Sequence, residues 1–218
     1  MKDKNIKLLL GKPLIGYTIE SALKSRLIDK IVVSTDDKKI AGKVKRYGIQ
    51  VIKRPKKYAT DKAPIEQALR HAVKYLYDTE RYLADIVVWL QANIPIRKKS
   101  QIDNAINKLI ASNADSAVTV YPVSQFPQWM KRMNKKGFLF PLCPDIKAYR
   151  RQDLKEAYLL DGAIVAIKRT VLMTAVQKGV HTYMGKKIIG IIQDGKYTVE
   201  VDNRKSLDLA RFFMSRRD

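Results

Sequence analysis

Residues 4–37, KNIKLLLGKPLIGYTIESALKSRLIDKIVVSTDD, decide the fold. Gly11-Lys12-Pro13 reads as a turn with Pro13 near a helix start. Leu14, Ile15, Ile19, Ala22 and Leu23 then recur at helical spacing and make one apolar face. Ile31-Val32-Val33 is a short β-branched run of the kind found in buried strands. Ser34-Thr35-Asp36-Asp37 follows it and suits a helix N-cap. A helix feeding a buried strand is half of an α/β unit. Open α/β sheets bind ligands beyond the carboxyl ends of their strands, so residues 34–37 stand at the rim where chemistry would sit.

The same alternation continues outward. Residues 36–47 are expected as a helix with Ile40, Val44 and Tyr47 on one face, stopped by Gly48. Residues 49–52 form a short strand, and Pro55 prevents its continuation. A helix over 64–77 follows a basic loop. Residues 85–91 carry an unbroken apolar run that suits a central parallel strand. Ser100 stands where it would cap a helix reaching residue 111. Further strands are expected at 115–121, 162–167, 187–193 and 197–201. Helices are expected at 169–178 and, capped by Asn203, at 204–215. Residues 122–160 hold four of the eight prolines and lack helical periodicity until Asp153. Such a stretch inside a compact domain is functional or an interaction arm. The pattern predicts an α/β protein with three α-β-α layers, a Rossmann-like, mostly parallel sheet, and one domain over 1–218 with 122–160 as its arm.

The 46% hydrophobic fraction of 218 residues is enough for a sizeable core. No apolar run approaches the ~20 residues of a membrane span, and the first residues lack a signal-peptide pattern. Cys143 is the single cysteine, so no internal disulfide can form and a cytoplasmic setting is expected. Forty-three Lys+Arg against 21 Asp+Glu give a net charge of +22. That balance favours anionic partners: nucleic acid, phosphates or an acidic small molecule. It equally suits a merely basic surface. The basic residues form no long block and no aromatic-interleaved pattern, so specific nucleic-acid binding is not expected.

Four constellations carry candidate chemistry. Arg54, directly after a strand, can hold a phosphate or a base edge, or else belongs to a solvated basic turn. Gln91 can hydrogen-bond a ligand and Arg97 can clamp a carboxylate or phosphate, although both also fit an ordinary βα loop. Arg150-Arg151-Gln152-Asp153 is either an anion site or an exposed helix start. Glu200 and Asp202 are alternate residues on an expected strand and so share a face, where a divalent cation would offset their repulsion. A solvent-facing strand end gives the same pattern. The sequence has only His71 and His181, no Cys/His metal spacing, and no G-x-S-x-G, Walker A or G-x-G-x-x-G motif.

Taken in order, these pieces resemble the acylneuraminate cytidylyltransferase family, and the likeness runs nearly end to end. Lys4-Asn5-Ile6 with Gly11-Lys12-Pro13-Leu14-Ile15 resembles the family's KNI…GKPLI, and Ser34-Thr35-Asp36-Asp37 its STDD. Arg54-Pro55 and Ala59-Thr60-Asp61 are similar to its RP…ATD loop. Gln91, Pro95 and Arg97 stand as in QPTSPLR, residues 150–154 read RRQDL, and Gly162-Ala163-Ile164 is similar to NGAIY. Residues 199–203 resemble VDIDT.

The resemblance implies transfer of CMP from CTP to the anomeric hydroxyl of a 2-keto sugar acid, with release of pyrophosphate. It implies Lys4 and Asn5 near the CTP phosphates and ribose, and Arg54 and Thr60 at the nucleotide. Gln91, Arg97, Arg150, Arg151 and Gln152 would face the acidic sugar. Asp202, with Glu200, would hold Mg²⁺ or Mn²⁺, and Asp202, Arg151 and Lys4 would be the catalytic residues. Residues 122–160 would form a dimerisation arm, giving a homodimer. The family also begins with a strand and an ARGGSKGIP-type loop. Met1 is therefore expected to be an internal methionine, with about 15–20 residues before it. The chain departs from the family at Glu200 for Asp, at Ala92-Asn93-Ile94 for PTS, and at Asp161 and Val165 in the NGAIY segment. These changes lie on the sugar side and point to an acceptor other than N-acetylneuraminate. Two other classes compete: an inactive homologue acting as a binding or scaffold protein, and a basic nucleic-acid-binding protein.

Overall fold

In the computed structural model the chain is described over residues 1, 3–144, 150–176 and 179–216. A 3₁₀ turn at Lys4–Ile6 leads into a tight hairpin of β1 (Leu8–Leu9) and β2 (Lys12–Pro13). Its two turn residues, Leu10 and Gly11, have φ of 47° and 79°, the paired left-handed geometry of a two-residue hairpin. Then α1 (Leu14–Leu23), β3 (Val32–Thr35), α2 (Lys38–Lys45) and β4 (Gln50–Lys53) alternate as the periodicity predicts. Next come α3 (Ile65–Glu80), β5 (Ile86–Trp89), α4 (Gln101–Ser112) and β6 (Ser116–Pro122). A small hairpin, β7 (Lys131–Met133) and β8 (Leu139–Pro141), lies within the arm region. The chain ends with β9 (Tyr158–Lys168), α5 (Arg169–Thr174), β10 (Ile188–Ile192) and α6 (Arg204–Ser215). The expected end of α5 at Lys178 and the arm residues 145–149 lie outside the described residues.

The fold class is α/β, with helices on both faces of a four-stranded sheet of order β10-β6-β9-β5. Alternation along β6 and β9 divides the core. Val118, Val120, Val165 and Ile167 pack toward α3 and α5, with Tyr183 and Met184. Ala117, Ala166 and Ile164 face the other way, toward Ile102, Ala105, Ile106 and Leu109 of α4. Each fully buried aliphatic side chain contributes about 1.5–3 kcal/mol. Ile15 and Ile19 of α1 meet Val44 of α2, and α6 buries Ala210 against Leu9, Leu14, Val199 and Val201.

The sheet is mixed rather than mostly parallel. Parallel pairing is confined to β6–β10 and to the separate β3–β4 ladder. β9 runs antiparallel to both β5 and β6. The reason lies in the arm. Pro122 pairs with Tyr158, so β6 and β9 are the two legs of one long hairpin whose loop is the arm. Among the described residues no α-helix crosses over between them, and a chain that returns beside the strand it left is antiparallel. The strand expected at 197–201 is a second correction. Asp194 caps a 3₁₀ turn at Gly195–Thr198 by accepting from the Lys196 N–H at 2.9 Å, and the residues after it join no ladder. Asn203 does cap α6, in a reciprocal pair with Ser206. Ser100 takes the N-cap position of α4 in a left-handed conformation without a capping side-chain bond.

The β6–β9 ladder carries one large irregularity. Val118 pairs with Val165 and Val120 with Leu160, so residues 161–164 stand opposite Thr119 alone. Gly162, at φ +69°, makes the turn. Thr119 organises this bulge: its hydroxyl donates to Asp161 Oδ1 and accepts from the Ile164 N–H at 3.0 Å. The Ala163 N–H reaches the same Asp161 oxygen at 2.8 Å. Gln193 donates to Asp161 Oδ2 and accepts from Gln101, whose own Oε1 accepts the Lys98 N–H. This chain of polar groups ties α4, β6, the bulge and the end of β10 together. Replacing Thr119 by Val keeps the shape but leaves Asp161 and Ile164 short of a partner. Thr119→Val is expected to cost about 1–3 kcal/mol in a urea melt.

Candidate active site

The loop after β5 is where the chemistry gathers. Arg97 holds it. The guanidinium donates from Nε to the Ala163 carbonyl (3.2 Å), from Nη1 to Thr18 Oγ1 (2.9 Å) and the Ile94 carbonyl (2.6 Å), and from Nη2 to the Gln91 (2.8 Å) and Ala163 (3.0 Å) carbonyls. Arginine has five N–H groups, and all five are used. Part of the side chain still meets solvent, but burial of the charged group pulls its pKa down to about 10, with Asp161 acting in the opposite direction. Arg97 therefore braces the loop from within. It has no donor left for an acid sugar, so the clamp expected of it becomes a structural role.

The braced loop presents Gln91 and Asn93 to the segment before α6. The Val201 N–H donates to the Asn93 carbonyl at 2.8 Å. That bond sets the extended segment so that Glu200 and Asp202 fall to one side. Gln91 Nε2 donates to Glu200 Oε1. Asn93 Nδ2 donates to Glu200 Oε1 at 3.1 Å and to Asp202 Oδ1 at 3.0 Å. Lys4 Nζ pairs with the same Asp202 oxygen. Lys4, Gln91, Glu200 and Asp202, far apart in sequence, thus form one cluster. Asn93, in sequence only a departure from the family motif, lies at its centre. Its signal was its place, a polar amide two residues past the central strand's polar end.

Beside this cluster opens a cavity of about 640 Å³, lined by Gln91, Thr119, Asp161, Gly162, His181 and Glu200 among others. A Cβ on Gly162 would lie 2.4 Å from Gln91 Oε1, so the glycine is needed for Gln91 to hold its place. Two carboxylates with space beside them for phosphate oxygens are a donor set that suits a hard divalent cation. Among the described residues no cluster of three or more His, Cys, Asp and Glu side chains forms around them. The remaining oxygens around a cation bound there would come from water or from a substrate.

The remaining candidates lie elsewhere. Arg54 sits at the carboxyl ends of β3 and β4, donating to the hydroxyl (3.2 Å) and the carbonyl of Ser34. Burial lowers its pKa, with Asp36 acting against this. Asn5 is half-buried on the first 3₁₀ turn, and Thr60 is exposed in the loop before α3. Arg150 pairs with Asp153 at 3.2 Å, Arg151 stacks over Phe126, and Gln152 is exposed. None of these three arm residues lines the cavity.

The chain matches the cytidylyltransferase family over residues 1–189 and belongs to it. Within that class the likeness to acylneuraminate cytidylyltransferases holds. The N-acylneuraminate cytidylyltransferase of Streptococcus agalactiae is 32% identical over 175 residues, covering 79% of this chain and 41% of that protein. The CMP-N,N'-diacetyllegionaminic acid synthase of Legionella pneumophila is 34% identical over 169 residues, covering 75% of this chain and 70% of the relative. The chain spans less than half the length of the N-acylneuraminate enzymes it matches. A CMP:2-keto-3-deoxy-manno-octonic acid synthetase solved with CTP has a similar fold, with a TM-score of 0.69 at 20% identity, over 99% of this chain and 92% of that one.

Two outcomes follow from this geometry. Arg97→Ala strips partners from three carbonyls and is expected to destabilise the fold by about 3 kcal/mol or more in a denaturant titration. Arg151→Ala in the arm is expected to leave the midpoint unchanged. His71 on α3 is partly buried, and burial, then Arg54 and Lys57, lower its pKa. Below its ordinary value near 6.5 the unfolded chain takes up a proton that the folded chain refuses, so stability falls as pH falls. Thermal melts should show this loss between about pH 7 and 5, and His71→Gln should flatten it.

Proposed function

We propose that this chain carries out the transfer implied by its family: CMP moves from CTP to the anomeric hydroxyl of a 2-keto sugar acid of the nonulosonic class. The observation that carries the reading is the Lys4–Asp202–Asn93–Glu200–Gln91 cluster at the mouth of the 640 Å³ cavity. The anomeric hydroxyl oxygen forms a bond to the α-phosphorus and loses its proton to solvent, while the α–β phosphoanhydride bond breaks with its electron pair leaving on pyrophosphate. Positioning and charge neutralisation are the main contributions the protein can make. Lys4 supplies a mobile cation for the phosphates, and Asn5 lies next to it for the ribose. Arg54, at the carboxyl ends of β3 and β4, and Thr60, in the loop before α3, would border the nucleotide. Gln91 orients the acceptor at the cavity mouth. Glu200 and Asp202 would hold Mg²⁺ or Mn²⁺, which supplies Lewis-acid neutralisation of the triphosphate when bound.

The acceptor's own carboxylate is assigned to Arg150, Arg151 and Gln152 of the arm, which line no part of their own chain's cavity and would reach the acceptor across the expected homodimer interface. Residues 131–141 support the expected homodimer: Met133, Phe138, Leu139 and Phe140 are all more than half exposed. An apolar hairpin of this kind favours burial against a second copy. No helix among the described residues is long and apolar enough to cross a membrane, and a cytoplasmic setting is part of the proposal.

Pyrophosphate release with CTP, Mg²⁺ and a panel of nonulosonic acids tests the reading. Turnover on at least one acid is expected, with preference for CTP over other nucleoside triphosphates. Asp202→Ala should lower it by about 100-fold or more. Failure with every acid, under conditions where CTP binds, would overturn the proposal. Sedimentation of the wild-type chain should give a dimer, and charged replacements at Phe138 and Phe140 should give a monomer.

A further inference from the structure

We infer that Asn93 is the positioning residue that fixes Glu200 and Asp202 as a two-carboxylate seat for a divalent cation. The inference rests on the reading of that pair as the cation site. Asn93 is 2% exposed. Its single side-chain nitrogen lies 3.1 Å from Glu200 Oε1 and 3.0 Å from Asp202 Oδ1. Carboxylates only accept, so the atom facing them is the NH₂ group, and its two hydrogens serve one acid each. One nitrogen atom thus tethers two carboxylates that would otherwise repel one another.

The other partners of the pair differ in kind. Lys4 is exposed to the extent of 37% of its side chain, and Gln91 lines the open cavity. Both reach solvent or the open cavity and can meet a substrate there. Asn93 cannot. Its carbonyl is bonded to the Val201 N–H at 2.8 Å, so its backbone is locked to the same segment whose acids its side chain holds. The contact is closed at both ends within three residues of the facing segment, 200–202. A threonine, the residue at this place in the motif the chain resembles, has one hydroxyl hydrogen and reaches one acid only. Glu200 is the longer acid in the same comparison. The longer acid and the two-armed amide are complementary changes: the amide gathers a carboxylate whose extra methylene would otherwise let it swing away.

Groups that orient metal ligands without touching the metal typically set affinity by 10–100-fold. Mn²⁺ titration of the full chain, followed by the electron paramagnetic resonance signal of free Mn²⁺ without nucleotide, reads this directly. Asn93→Ala should weaken Mn²⁺ binding by about 10–100-fold and raise the half-saturating Mg²⁺ for turnover in parallel. The KM for CTP at saturating Mg²⁺ should stay within about threefold, since Asn93 is not assigned to the nucleotide. Asn93→Thr keeps one donor, should fall between the two, and carries the test if the alanine variant does not fold. An unchanged Mn²⁺ titration in either folded variant overturns the inference. A wild-type chain that binds no Mn²⁺ overturns it together with the cation site. A chain whose Mn²⁺ binding depends on Asn93 but which turns over no acid supports the inference and sinks the transferase reading.

Discussion

A desolvated guanidinium with every N–H engaged is the constraint on which the site depends. Arg97 gathers carbonyls from its own loop and from β9, and a hydroxyl from α1, so it joins three elements at one point. Bringing a cation out of water is costly, and the cost is offset here by carbonyl dipoles and by the field of Asp161. The return is a loop without freedom. A βα loop of eleven residues, as lies between β5 and α4, would ordinarily sample several shapes. With Gln91, Ile94 and Ala163 all bound to one planar group, Gln91 and Asn93 are delivered to fixed places.

The second determinant is the insertion of the arm between β6 and β9. Because the chain leaves and returns at the same point, β9 must run against its neighbours, and the sheet becomes mixed. The register also has to absorb residues 161–164 opposite Thr119. That bulge is not idle geometry. It puts Gly162 under Gln91 and aims Asp161 into the polar chain that reaches α4. Bulges re-aim side chains next to binding sites, and this one shapes the cavity floor.

Local chemistry made much of this legible in advance. The β-branched run before Ser34, the apolar periods of α1 to α4, and the Asn203 cap all follow from short-range rules, and the structure has them. Glu200 and Asp202 were recognisable as a pair because alternation along an extended segment fixes their side without any ladder. The role of Arg97 is not legible in sequence, because a lone arginine after a strand looks the same whether it faces a ligand or folds back onto carbonyls. Only the positions of Thr18 and Ala163 decide, and those are tertiary facts. Asn93 was passed over for a similar reason: an amide gains meaning from two acids over a hundred residues away. The direction of β9 was equally hidden, since a strand's apolar pattern does not record which neighbour it will meet.

Net charge and local charge run in opposite senses, and both serve the proposed substrates. The chain carries +22, yet Glu66, Asp161 and Glu200 all line the cavity, with Asp202 beside it. A uniformly positive site would bind a triphosphate tightly in its ground state and gain little at the reacting centre. A positive surface around an acidic pocket divides the work. On the proposed reading, the distant lysines and arginines would raise the encounter rate of two anions through long-range attraction that salt weakens. The carboxylates at the mouth then concentrate countercharge at one point, where a divalent cation can sit between protein and phosphate. Lys4 belongs to both fields: it is part of the basic surface, and its ammonium already rests on Asp202. A cation that displaced it from that oxygen would free the lysine for the phosphates that arrive with the cation.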